Sequence, residues 1–151
     1  MNAPIASDYQ VDFAIWIHDQ IAKLRAREFD QLDIDNLIEE LDSMGISSKR
    51  ELYHRLETLL KHLLKCQMQP HRISANWLGT IRDQRRRIGS LLKQSPSLAR
   101  LILEYLDEVY PHAVAGAVDE TRQAHSAFPA SNPYSVAQLL DTQFLPLSAS
   151  P

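Results

Sequence analysis

Apolar residues recur along most of this chain at intervals of three and four, the period of a helix that turns one side towards a core. From about Asp8 to Arg25, Tyr9, Phe13, Trp16, Ile17, Ile21 and Leu24 share a face. A second, short helix is expected from about Ile34 to Ser43, with Asp33 as its cap and Gly45 in the left-handed position beyond its end. Its stripe is Ile34, Leu37, Ile38, Leu41 and Met44. Ser48 with Glu51 three residues on has the form of a capping box and predicts a third helix, which Pro70 stops. Leu52, Leu56, Leu59, Leu60 and Leu63 make its inner face.

A fourth helix is expected from about Ala75 to Gln94, with Trp77, Leu78, Ile81, Ile88, Leu91 and Leu92 inward. Ser95-Pro96 is a strong start for a fifth, running to about His125 with Leu98, Leu101, Ile102, Tyr105, Leu106, Val109 and Ala113 inward. Pro111 lies inside it and predicts a kink. After a turn at Asn132-Pro133, a last short helix spans Ser135 to Phe144. Stripes of this kind must be buried against one another, so the pattern predicts an all-α helical bundle of four long helices plus one or two short ones. A single domain over residues 1–151 is expected, with a core of about 8–145 and flexible ends at 1–7 and 147–151.

Composition narrows the picture without changing it. The chain has 151 residues, 44% hydrophobic and 23% charged, the balance of a folded globular protein. The single cysteine, Cys66, cannot close an intramolecular disulfide and suits a reducing compartment. No signal peptide is expected ahead of the first helix, and no apolar run approaches the roughly 20 residues that span a bilayer. A cytoplasmic location without membrane association is the expectation. The net charge of −3 lacks the basic excess of a nucleic-acid module. Charge is segregated, however. Glu28 to Asp42 carries seven acids and no base, whereas Arg72 to Lys93 carries six bases and one acid, a net +5.

A few polar residues fall on apolar faces when placed at 100° per step. They are Gln20, Glu40, Arg55, His62, Gln67, Gln84, Arg85, His112 and Glu120. A buried guanidinium is costly without a partner, so a Glu40–Arg85 pair is expected. Such groups often satisfy one another and fix helix register. They could also form a polar pocket, whose candidates are Glu40, Arg55, His62, Gln84, Arg85 and His112.

Several blocks in order carry a resemblance. They are Asn36-Leu37-Ile38-Glu39-Glu40-Leu41-Asp42-Ser43-Met44-Gly45, then His62-Leu63-Leu64-Lys65 leading to Gln69-Pro70. Trp77 with Thr80-Ile81 and Gln84-Arg85-Arg86 follows, then Ser95-Pro96-Ser97-Leu98, and last Phe128-Pro129 with Pro133-Tyr134-Ser135. From about Tyr9 to Phe144 the chain resembles a bacterial family catalogued as domain of unknown function number twenty-nine. The family often has an aromatic residue where this chain has Met68. The resemblance implies an all-helical fold and a bacterial source, and no activity.

No complete catalytic constellation is present. Glu51 and His54 form one Glu-x-x-His, but carboxylate-bridged di-metal bundles need two of them and further inward glutamates. No His-x-x-x-His or Cys-x-x-Cys pair occurs, and the only histidine combination left is His62 with His112 from different helices. No metal and no cofactor is expected. Cys66 lies among leucines, which suits an inert thiol. Glycine-rich phosphate loops and Gly-x-Ser-x-Gly elbows are missing. The reading that follows is a non-enzymatic binding or protein-interaction module, self-association included. The alternatives are an enzyme or a small-ligand- or metal-binding protein built on the polar pocket inside the bundle, and nucleic-acid contact through Arg82, Arg86 and Lys93.

Overall fold

The structure is a computed structural model and describes residues 8–147. What was expected of 1–7 and 148–151 lies outside the described residues. The fold is all-α and of helical-bundle type, with no strand among the described residues. Its helices are α1 (Asp8–Val11), α2 (Phe13–Arg25), α3 (Ile34–Met68), α4 (Ala75–Gln94), α5 (Ile102–Thr121) and α6 (Val136–Leu140). The residues cluster into two compact units, Met1–Ile46 and Ser47–Pro151.

In the first unit, the helix expected over Asp8 to Arg25 is two helices. Asp12 adopts an extended backbone and its carboxylate accepts a hydrogen bond from the Ile15 amide at 3.0 Å, capping α2. A short acidic side chain competes with the helix for backbone donors, so it breaks the periodic run here. Arg27, at φ 59°, takes the left-handed position that ends α2. The Glu28 amide then donates to Lys23 and the Arg27 amide to Leu24, which is a Schellman closure made without glycine. Trp16 and Gln20 are the buried residues of α2, and the rings of Tyr9, Phe13 and Trp16 lie 4.8–5.8 Å apart. The Trp16 indole N–H and the Asn36 side-chain amide donate to the Asp33 carboxylate, and the Asp33 amide donates to Gln20 Oε1. These bonds hold the entrance to α3. The hydrogen bonds from Asn36, assisted by the Trp16 indole, outweigh burial and keep the Asp33 carboxyl below its usual range.

The second and third expected helices are one, α3, of 35 residues. Gly45 does not take a left-handed conformation, and Ser48 lies inside the helix instead of capping it. A glycine in a helix interior costs only about 1 kcal/mol relative to alanine, too little to terminate a helix held at both ends.

The second unit is built around the latter part of α3. Leu52, Leu56, Leu59, Leu60, Leu63 and Leu64 are fully buried there. Each contributes about 1.5–3 kcal/mol by leaving water. Against them pack Ile81, Ile88 and Leu91 of α4 and Ile102, Leu106, Val109, Ala113 and Ala117 of α5, closed over by Phe128, Tyr134 and Leu139. Leu63 to Cys66 are buried in succession, so α3 is enclosed on every side at this level.

The bounds of α4 agree with expectation, and the Ser74 hydroxyl accepts from the Trp77 amide to start it. α5 is shorter than expected at both ends. Pro96–Leu101 is a 3₁₀ stretch, and Arg122, at φ 58°, ends the helix after Thr121. Pro111 is accommodated inside α5. α6 opens with a complete capping box between Ser135 and Gln138. It ends before Asp141, whose carboxylate accepts from the Gln143 amide and turns the chain, so the helix does not reach Phe144.

Candidate functional site

Of the expected polar pocket, Glu40 lies in the first unit and Arg55, His62, Gln84, Arg85 and His112 in the second, where Arg55 and Gln84 are the two that bond to each other. Glu40 accepts a hydrogen bond from the Tyr9 hydroxyl at 2.5 Å within the first unit, and that bond raises the Tyr9 phenol to about 12. Arg85 is buried as expected, but its partners are not Glu40. Its Nε donates to the Leu139 carbonyl at 2.8 Å and its Nη2 to the Gln138 carbonyl at 3.2 Å. The last carbonyls of a helix have no partner within it, and a cation beside them is favoured. Arg85 therefore caps α6, and backbone takes the place expected for a carboxylate.

Gln84 is also buried and accepts from Arg55 Nη1 at 3.4 Å; Arg55 Nη2 reaches Glu51 Oε1 at the same distance. Gln67 Oε1 accepts from the Tyr134 hydroxyl at 2.5 Å. His62 is half-buried, with Nδ1 2.9 Å from the Thr58 carbonyl. A carbonyl only accepts, so Nδ1 carries the proton. Burial depresses the His62 pKa and outweighs that bond, with Lys65 and Lys61 adding to the depression, so the ring is neutral at pH 7.

His112 is exposed, contrary to its expected place inside. The expected face assumed 100° per residue from Pro96 onwards, whereas a 3₁₀ stretch winds about 120° per residue and shifts the phase over Pro96–Leu101. The buried arc of α5 is centred on Leu106, Tyr110, Ala113 and Ala117, on the other side from His112.

Periodicity also missed three buried polar residues, Lys65, Gln69 and Thr121. The Lys65 ammonium donates to Glu120 Oε2 at 2.6 Å and sits 4.3 Å from the centre of the Trp77 ring. Lys61 holds the other carboxylate oxygen of Glu120 at 2.9 Å. Burial would raise the Glu120 carboxyl, but hydrogen bonds from the two lysines prevail and bring it to about 2. Gln69 Nε2 donates to the Thr121 carbonyl at 3.2 Å and Thr121 Oγ1 donates to Ala117, which closes the end of α5. Cys66 is fully buried, and burial pushes its thiol up. Among the described residues, no three His, Cys, Asp or Glu side chains stand close enough to hold a metal ion.

Two features of the surface bear on binding. The first is a groove of about 520 Å³ between α4 and the C-terminal segment, lined by Leu78, Ile81, Arg82, Arg85, Thr142, Gln143 and Leu145. Of the residues proposed for nucleic-acid contact, Arg82, Arg86 and Lys93 are all exposed. Arg86 shares Asp83 with Arg87, at 2.6 and 2.9 Å, which neutralises part of that surface.

The second feature is the first unit itself. Fifteen large hydrophobic residues are exposed among the described residues, and twelve of them precede Ser47, so exposed apolar surface is concentrated there. Ile34, Ile38 and Leu41, spaced by four and three on α3, are 50–64% exposed. Asp35 and Asp42 flank this stripe on one side and Glu40 on the other. Through Ile46 the unit has ten acids and three bases, net −7, while residues 47–151 have thirteen bases and nine acids, net +4.

Residues 9–145 match the family model described as "Domain of unknown function DUF29". No curated protein and no solved structure matches the chain. No helix among the described residues is long and apolar enough to cross a membrane.

Proposed function

This chain belongs to the DUF29 family, and because that membership carries no activity with it, we propose a function from the surface: a helical binding module whose first unit docks a basic amphipathic helix of a partner protein. The observation that carries the reading is the uncovered Ile34–Ile38–Leu41 stripe with carboxylates on both flanks. Contiguous exposed apolar surface rimmed by charge is what helix-in-groove and helix-on-helix recognition uses. The charge selects the occupant. Between Glu28 and Asp42 no basic residue is present, so the same stripe on a second copy would set carboxylate against carboxylate. Like charges across an interface are repulsive, whereas lysines or arginines beside an apolar stripe are complementary.

The test is fluorescence anisotropy with a labelled Leu/Lys peptide of helical periodicity, against a scrambled peptide of identical composition. The periodic peptide should bind, and more weakly as salt rises. Ile38→Asp with Leu41→Asp should weaken it by about tenfold or more, since each lost aliphatic contact is worth about 1.5 kcal/mol or more when buried. Equal binding of the scrambled peptide would reduce the effect to bulk charge and refute the reading. A concentration-dependent dimer in sedimentation, lost in the same double variant, would assign the stripe to self-association instead.

A further inference from the structure

We propose that the groove beside α4 is a binding site for a small amphiphilic anion, a carboxylate or phosphate head on an apolar tail. It lies wholly within the second unit and is independent of the stripe on the first. A cavity of about 520 Å³ falls within the range of small-molecule sites. Leu78, Ile81 and Leu145 supply apolar wall, and Arg82 and Arg85 supply two guanidinium groups.

Arg85 is the more telling of the two. It is only 6% exposed, and its Nε and Nη2 are committed to the ends of α6. Its Nη1 has no such bond, yet no buried side-chain nitrogen or oxygen of the described residues lacks a partner. Nη1 therefore keeps some access to solvent, and Arg85 is one of the residues that line the groove. The guanidinium is fixed by two carbonyls with donors to spare, so little side-chain freedom is lost when an anion arrives. Arg82 is exposed and has no hydrogen bond or ion pair among the described residues. Asp141 acts on Arg85 as an opposing charge, a single carboxylate against two guanidiniums. Arg86 and Arg87 are taken up by Asp83 and add nothing to the groove. An inorganic anion alone would leave the leucine and isoleucine wall wet, and an uncharged apolar molecule would leave Arg85 Nη1 without a charge-matched acceptor. Both halves are needed to satisfy the lining.

Isothermal titration calorimetry of the full chain tests this with decanoate and with decyl phosphate, each below its micellar concentration. Inorganic phosphate and decanol serve as the head and the tail alone. Both amphiphiles should saturate a single site, and whichever binds more tightly identifies the head group. Neither half alone should match them. Arg82→Gln, an exposed change that leaves the α6 cap intact, should weaken binding by about tenfold through loss of a charge-assisted contact. Leu78→Asn should weaken it by about fivefold through loss of apolar contact. Circular dichroism unchanged in both variants separates these losses from unfolding. Absence of saturable binding, equal binding of inorganic phosphate, or full affinity in Arg82→Gln would each overturn the proposal.

Discussion

Lys65 is a buried charge of the second unit, and Glu120→Gln exposes what holds it. The Lys65 side chain is 7% exposed, and its counter-charge is the Glu120 carboxylate at 2.6 Å. Breaking a buried ion pair from one side typically costs about 3–5 kcal/mol, because the remaining charge is left in a poor solvent. Two features reduce that cost here. The Glu120 side chain is 41% exposed, so water can partly replace it. The Trp77 ring, 4.3 Å from the ammonium, is untouched and keeps a cation–π contact of about 1 kcal/mol. The expected loss is therefore about 2 kcal/mol, or roughly 4–8 °C in Tm for a chain of this size. The same geometry dictates a pH signature. Glu120 is held at about 2 in the folded protein against 4.5 without its partners. A carboxyl with a depressed folded pKa contributes stability that is fully present above about 4.5 and disappears as pH falls towards 2. Urea unfolding followed by circular dichroism, at steps between pH 7 and pH 2.5, should show wild type and Glu120→Gln far apart at neutral pH and converging below 4.5. A constant gap across that range, or a gap under about 0.5 kcal/mol at pH 7, would refute the assignment.

Other substitutions probe the backbone closures. Arg85→Met should cost about 2–3 kcal/mol by orphaning the Gln138 and Leu139 carbonyls, and should raise amide exchange in α6 more than in α4. Gly45→Ala should stabilise by about 0.5–1 kcal/mol in thermal unfolding, because a Cβ there meets nothing within 4 Å and α3 is continuous; a loss of stability would mean that the helix breaks at Gly45. Arg122→Gly should stabilise by about 0.5–1 kcal/mol, since its left-handed conformation costs an arginine and not a glycine.

Where one physical signal acted alone, the sequence was enough. Ser74 and Gln94 bound a single amphipathic run, and the expected and observed limits of α4 coincide. Where signals competed, it was not. Gly45 and Ser48 have the chemistry of a stop and a start, yet an exposed glycine penalty of about 1 kcal/mol does not outweigh a helix anchored by Asp33 at one end and by buried leucines at the other. Lys65 is absent from the inward polar set because periodicity treats the helix as one-sided. The enclosure of α3 by a second set of contacts makes even its polar side an interior, and no period along one helix carries that information. His112 failed for a subtler reason, the change of winding at Pro96–Leu101, which altered the phase of everything counted from there.

The fate of the inward polar residues bears on where function can reside. Arg85 was expected to need an acid, because side chains are what a sequence displays. The partner it found is the unpaired end of a helix, and Gln69 found the same at the end of α5. Gln20 serves the approach to α3 in a similar way, through the Asp33 amide. Each is a polar group placed inside so that a helix can stop or start where the core requires, which is a structural use of buried polarity. The bonded donors and acceptors of these residues are directed at backbone at three helix ends and serve those ends. Arg85 Nη1, the unpaired Arg82 and the acid-flanked apolar stripe of α3 are among the groups these bonds leave free. The two proposals accordingly place recognition at the surface, while the buried polar bonds serve stability.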